Sequence, residues 1–219
     1  MATMPTVLET PARDIGRREP PAPPGDGGGG RGGNGGSASG PTRAEVAVLG
    51  IWVALAPILM LFLAFISAYV VRRGIGQDWS AVPVPRLLWL NTGVLLASSF
   101  LLERGRADLQ RTGGARGWFA ATLLFGVLFV CGQYLGWREW WSRGIHIGSS
   151  AYTSFFYLLT GAHAVHLSLG LLALGANALW PTPGWGGMTR GVLSKVTAVY
   201  WHFMGALWVG LFLVLNFWR

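Results

Sequence analysis

Long stretches of this chain contain no charged residue at all, and that restricts what it can fold into more than any other feature. A soluble core cannot absorb such runs. A bilayer can, because about 20 apolar residues span its hydrocarbon region. Across the 219 residues, 52% are hydrophobic and only 12% charged, against roughly 25% charged in an ordinary soluble domain. Open sheets cannot span lipid, and barrel strands would alternate polar and apolar residues, which these runs do not. The reading is therefore all-α: a polytopic membrane bundle of five transmembrane helices, about 45–71, 87–102, 117–137, 151–180 and 192–218, within a membrane domain at 44–219. Residues 1–43 differ. Their Pro-rich and Gly-rich runs hold almost no large apolar residue and no apolar signal-peptide core, so a disordered tail is expected there.

The net charge of +8 does not point to nucleic acid, because the arginines are scattered singly through short loops. They read as topology signals. Eleven of the 17 Lys and Arg fall on the side of the N terminus, which favours a cytoplasmic N terminus. The lone Cys131 has no partner for a disulfide or a CxxC set and reads as a small apolar filler.

Polar residues within membrane helices usually face other helices. At 100° per residue, Tyr152, His163, His166, Gly170 and Asn177 share one arc of the fourth segment. Asn91, Thr92, Ser98 and Ser99 share a face of the second, and Gln133 lies on the side of Gly126 and Gly136 in the third. Ala198, His202, Gly205, Ala206 and Asn216 share a face of the fifth. Pro57, Ala64, Ser67 and Ala68 mark the interior side of the first. No Asp or Glu lies inside a span, Glu45 and Glu103 being at the edges, so proton translocation by this chain alone is not expected. Phosphate loops, nucleophile elbows and HExxH motifs are absent. Three membrane histidines, His163, His166 and His202, have two readings. One is a metal or haem site, with His202 and one of the others as axial pair. The other, favoured by their number, is imidazoles satisfied by neighbouring hydroxyls, carbonyls or indoles.

Four strings carry a resemblance. Ser154-Phe-Phe-Tyr-Leu-Leu-Thr-Gly-Ala-His163-Ala-Val-His166 is similar to the SxFFxLTGxHGxH signature of subunit III of the haem-copper oxidases, the cytochrome c oxidase subunit III family. Tyr200-Trp-His-Phe203 followed by Trp208 resembles that family's final-helix motif. Leu90-Asn-Thr92 with Ser98-Ser99 resembles its LNTxxLxxSS, and Gly132-Gln133 with Trp137-Arg138 a bacterial GQxxxWR variant. The strings occur in family order, one per helix, over about residues 45–219, and match the family's short five-helix form. Pro57-Ile58 stands where many members carry Ser-Glu, Gly205 replaces an acid, and Ala164 replaces a glycine.

The resemblance implies a non-redox accessory subunit, without haem, copper or other metal and without catalytic residues of its own, whose redox centres lie in subunits I and II. Such a subunit packs on subunit I, holds phospholipid and supports proton uptake while oxygen is reduced to water, in the bacterial inner membrane. Trp52, His163, His166, Trp201 and His202 are the expected lipid-binding or bundle-polar residues. Asn91, Thr92, Ser98, Gln133, Gly170 and Gly205 are the expected helix-packing residues. The competing readings are a haem-b membrane anchor of a quinone-linked dehydrogenase and a transporter, the latter disfavoured by the lack of an internal repeat.

Overall fold

The computed structural model describes residues 42–76, 79–80, 82–179 and 189–218, all within one compact unit, Ser39–Arg219. Five helices account for nearly all of them: α1 (Arg43–Ile75), α2 (Leu87–Thr112), α3 (Arg116–Ser142), α4 (Ala151–Leu179) and α5 (Arg190–Phe217). The tail expected at 1–43 lies outside the described residues, apart from Thr42 and Arg43 at its end. Those two open α1: the Thr42 hydroxyl accepts from Glu45 N–H at 3.3 Å and the Glu45 carboxylate accepts from Thr42 N–H at 2.8 Å, satisfying two otherwise orphaned donors. Thr189 caps α5 through its hydroxyl alone, which accepts from Val192 N–H. The turn from α2 to α3 takes only three residues, and Gly113 makes it possible by adopting φ 74°, a left-handed conformation that a side chain would oppose.

Four helices, α1, α3, α4 and α5, are long and apolar enough to cross a membrane. Helix α2 does not meet that measure, because its second half carries Glu103, Arg104, Arg106, Asp108 and Arg111. It also runs ten residues past the end expected for the second segment at 102, and α1 and α3 likewise run on to 75 and 142. A charged residue ends an apolar stretch but leaves the backbone hydrogen bonds of a helix intact.

The helix contacts define the arrangement. Helices α2, α3, α4 and α5 close a ring, each touching its neighbours and α5 returning to α2, while the backbone of α1 approaches only α4 and α5. Within the ring lies a core of large side chains, among them Phe129, Trp140, Phe156, Leu167, Trp201 and Trp208, all fully buried. Helix α1 inserts a narrow stripe, Leu55, Phe62 and Tyr69, and leaves Leu49, Trp52, Val53, Met60 and Leu63 exposed.

Sequence reasoning mistook that face. Pro57, Ala64, Ser67 and Ala68 are all exposed, and bulky residues seven apart make the contact instead. The cause is that α1 approaches only two neighbours, at a distance that aromatic and leucine side chains fill, so it needs no small residues for a close approach. On α5 the buried face is Ser194, Thr197, Ala198, Trp201, Met204, Gly205, Trp208, Leu211 and Leu215, with Ala206 exposed and His202 half-buried at its border. Cys131 likewise faces outward and does not fill the core.

Candidate functional site in the bundle core

The buried surfaces of the ring are joined by one device used three times. A hydroxyl donates to a carbonyl of its own helix and accepts from an indole N–H on the neighbouring one. Ser98 Oγ donates to Leu95 O at 2.6 Å and accepts from Trp201 Nε1 at 3.0 Å. Thr92 Oγ1 donates to Leu88 O at 2.8 Å and accepts from Trp208 Nε1 at 3.0 Å. Thr160 Oγ1 donates to Phe156 O at 2.6 Å and accepts from Trp137 Nε1 at 3.2 Å. The first two lock α5 to α2 and the third locks α3 to α4. Each hydroxyl thereby satisfies its one donor and accepts one bond in return, as an apolar surrounding favours.

Further bonds tie the remaining seams. Asn91 Nδ2 donates to Phe129 O at 2.9 Å, joining α2 to α3. Asn177 Nδ2 donates to Thr197 Oγ1 at 3.0 Å, and Tyr200 Oη to His166 O at 2.6 Å, both joining α4 to α5. Arg116 Nε donates to Ala178 O at 3.3 Å and its Nη2 to Leu179 O at 3.2 Å, closing the C-terminal end of α4. Glycines of α3 also leave no room for a side chain at the α2–α3 seam. A Cβ on Gly136 would come 2.7 Å from Leu88 Cδ1, and one on Gly132 would overlap the Asn91 amide. Gly126 is equally confined, with Leu171 at 2.6 Å and Trp201 at 2.7 Å. Gly170 is tight, 3.1 Å from the Trp201 and Tyr200 rings, whereas at Gly205 the nearest atom is Ser99 Oγ at 3.7 Å, ordinary contact distance.

The three membrane histidines have three different surroundings. His163 is wholly buried among rings: Trp208 at 5.1 Å, Phe129 at 6.0 Å and Phe62 at 6.5 Å between centroids. His166 is half-buried, its Nδ1 2.8 Å from Ala162 O of its own helix, its ring 5.6 Å from Phe62. His202 is on the rim of the α2–α5 seam, its Nε2 2.7 Å from Glu103 Oε1. Glu103 also pairs with Arg106 at 2.7 Å. The haem reading would join His202 to one of the other two as an axial pair; here His202 engages a carboxylate and His163 is enclosed by aromatic rings.

Of the other residues singled out from sequence, Trp52 is exposed on α1, and Trp201 is fully buried. His163 and Trp201 are thus buried within the bundle, whereas Trp52 is exposed and His166 and His202 are half-buried. Asn91, Thr92, Ser98, Gly170 and Gly205 all lie at helix contacts, and Gln133 is buried with them. Sequence reasoning missed Glu103 as the partner of His202, along with Thr160, Thr197 and Phe62. The first two are small hydroxyls on otherwise apolar helices. Pairing Glu103 with His202 requires knowing that α2 and α5 adjoin, since 99 positions separate them.

Fold and core together define a class: a polytopic helical membrane protein whose polar side chains serve to join helices. Residues 47–219 match the family model described as cytochrome c oxidase subunit III. A protein of Mycobacterium tuberculosis H37Rv, described as a probable cytochrome c oxidase subunit 3, is 36% identical over 190 residues, spanning 81% of this chain and 90% of that protein. A probable cytochrome c oxidase subunit 3 from Nocardia farcinica is 33% identical over 189 residues, 84% of this chain and 92% of its own. The cytochrome c oxidase subunit 3 of Synechocystis is 30% identical over 162 residues, 70% of this chain and 68% of its own. The chain belongs to the cytochrome c oxidase subunit III family, and so to a membrane-bound oxidoreductase complex of several subunits.

Proposed function

We propose that this chain is a non-redox accessory subunit of a haem-copper terminal oxidase, packed on subunit I, with subunit II as the other large partner. All five helices, α2 included, cross the bacterial plasma membrane, and the N terminus is cytoplasmic. The observation that carries the reading is the family match over 47–219, which covers every helix with its polar seams. The chain itself carries no haem, copper or catalytic group. What supports this is that most of its core polar side chains are used in helix-to-helix bonds.

Phospholipid lies along the exposed apolar faces. A groove of about 300 Å³ between α1 and α5, lined by Leu59, Leu63, Phe203, Ala206 and Gly210 among others, has the apolar walls an acyl chain takes. Trp52 on the same helix presents an amphipathic ring of the kind found at headgroup level. By holding lipid and bracing subunit I, the chain supports proton uptake and the stability of the complex while oxygen is reduced to water.

The test is a mild-detergent purification of the tagged chain, read by mass spectrometry and a reduced-minus-oxidised spectrum. Large subunits with oxidase haem bands are expected to co-purify, and the bands to vanish when the chain is stripped out alone. A chain that purifies alone and keeps its own reduced-haem band would overturn the reading in favour of a cytochrome anchor.

A further inference from the structure

Most polar side chains of the core are bonded within it, but among the described residues Trp79, Gln133, Trp140, His163 and Arg190 keep a buried polar atom without a partner. Two of these, Gln133 and His163, lie at one level with every polar side-chain atom unpartnered. Both amide atoms of Gln133 on α3 and both ring nitrogens of His163 on α4 are closed off from the surroundings without a hydrogen-bond partner. The antiparallel register of α3 and α4 brings these residues together. The Trp137–Thr160 bond and the contact of Gly126 with Leu171 set Gln133 opposite Ala164, one position from His163. Gln133 and Ala164 indeed border the same groove. Phe129, one turn before Gln133 on the same face, packs on the His163 ring.

Leaving such groups unpartnered in an apolar core is among the most unfavourable arrangements a fold can adopt. A side-chain amide offers an acceptor and two donors, and a neutral imidazole one of each. The rings of Phe62, Phe129 and Trp208 hold the imidazole in place, so it is not free to swing toward the amide. Buried water commonly makes about three hydrogen bonds to groups of this kind. We propose that Gln133 and His163 form an internal water-binding site, an ordered water bridging the amide to the imidazole and serving as the polar joint between α3 and α4 at that level. It differs from the indole-to-hydroxyl joints in that neither helix supplies a matching partner, so the solvent molecule is part of the fold.

Two measurements test this on the full chain purified in mild detergent with whatever subunits accompany it. An experimental map that resolves ordered water is expected to show a density peak within about 3 Å of a Gln133 amide atom and of a His163 ring nitrogen. The two side chains bonded directly to each other, or each turned to a backbone carbonyl with no peak between them, would overturn the proposal. The second compares thermal midpoints of Gln133→Met, His163→Phe and the double variant, which replace the polar groups by apolar ones of similar size. Each single change is expected to lower the midpoint by stranding the other group. The double variant is expected to melt no lower than the less stable single one, because it strands nothing. Strictly additive losses would mean that each side chain acts alone and would refute the shared site. If a single variant fails to accumulate, the map of the unmodified chain decides.

Discussion

At the scale of single residues, the indole-to-hydroxyl joints make sharp expectations. Ser98→Ala removes the acceptor of Trp201 Nε1 while barely changing volume, so about 1 kcal/mol of stability should be lost, read as a lowered thermal midpoint in detergent. Trp201→Phe should lose more, because a bulky ring packed between Gly126 and Gly170 is also made smaller. The double variant should lose less than the two combined, since one hydrogen bond cannot be lost twice. His163→Ala should destabilise the bundle, yet leave the haem spectrum of the co-purifying complex intact. Loss of a haem band in that variant would contradict the accessory role.

At the scale of helices, the glycines of α3 separate close approach from mere smallness. Gly136→Ala would drive a methyl into Leu88 on α2, and overpacking of that kind typically costs about 1–3 kcal/mol. Gly205→Ala finds its nearest neighbour at 3.7 Å and should be nearly neutral, the pair being compared by thermal unfolding side by side. This difference was not legible in the sequence, where both glycines sit among polar neighbours on apolar helices. What was legible follows from the chemistry of the residues. Of the arc through Tyr152, His163, His166, Gly170 and Asn177, all but the half-buried His166 are buried, because polar groups have few alternatives in an apolar setting. The faces of α1 and α5 were harder to read, since leucine and phenylalanine suit lipid and core equally and leave no apolar-to-polar contrast around the helix. Helix ends escaped for a related reason, since the loss of apolar character does not stop a helix. The joint between Gln133 and His163 was visible only as two separate polar residues until the register of α3 on α4 was known.

At the scale of the whole membrane unit, the ring of α2 to α5 encloses most of the buried surface, and α1 adds a three-residue stripe to its outside. Local opening should therefore begin at α1. In hydrogen exchange on the detergent-purified chain, amides of α1 should exchange faster than those of α3. Protection of α1 should rise when the large oxidase subunits are bound, if they cover its exposed side. Equal exchange in α1 and α3 would show that the outer helix is held by more than its stripe.

The seating of α1 also imposes an order on biosynthesis. Of the five helices it leaves the ribosome first, yet the two it packs against are the last of the five to be made. Throughout the synthesis of α2 and α3 it has no native partner and must remain in the bilayer by its own affinity for lipid, which its long apolar span supplies. The native contact therefore joins the first of the five helices to the last two, and a product interrupted before α4 would leave α1 without its partners in the bundle and open to quality-control proteases.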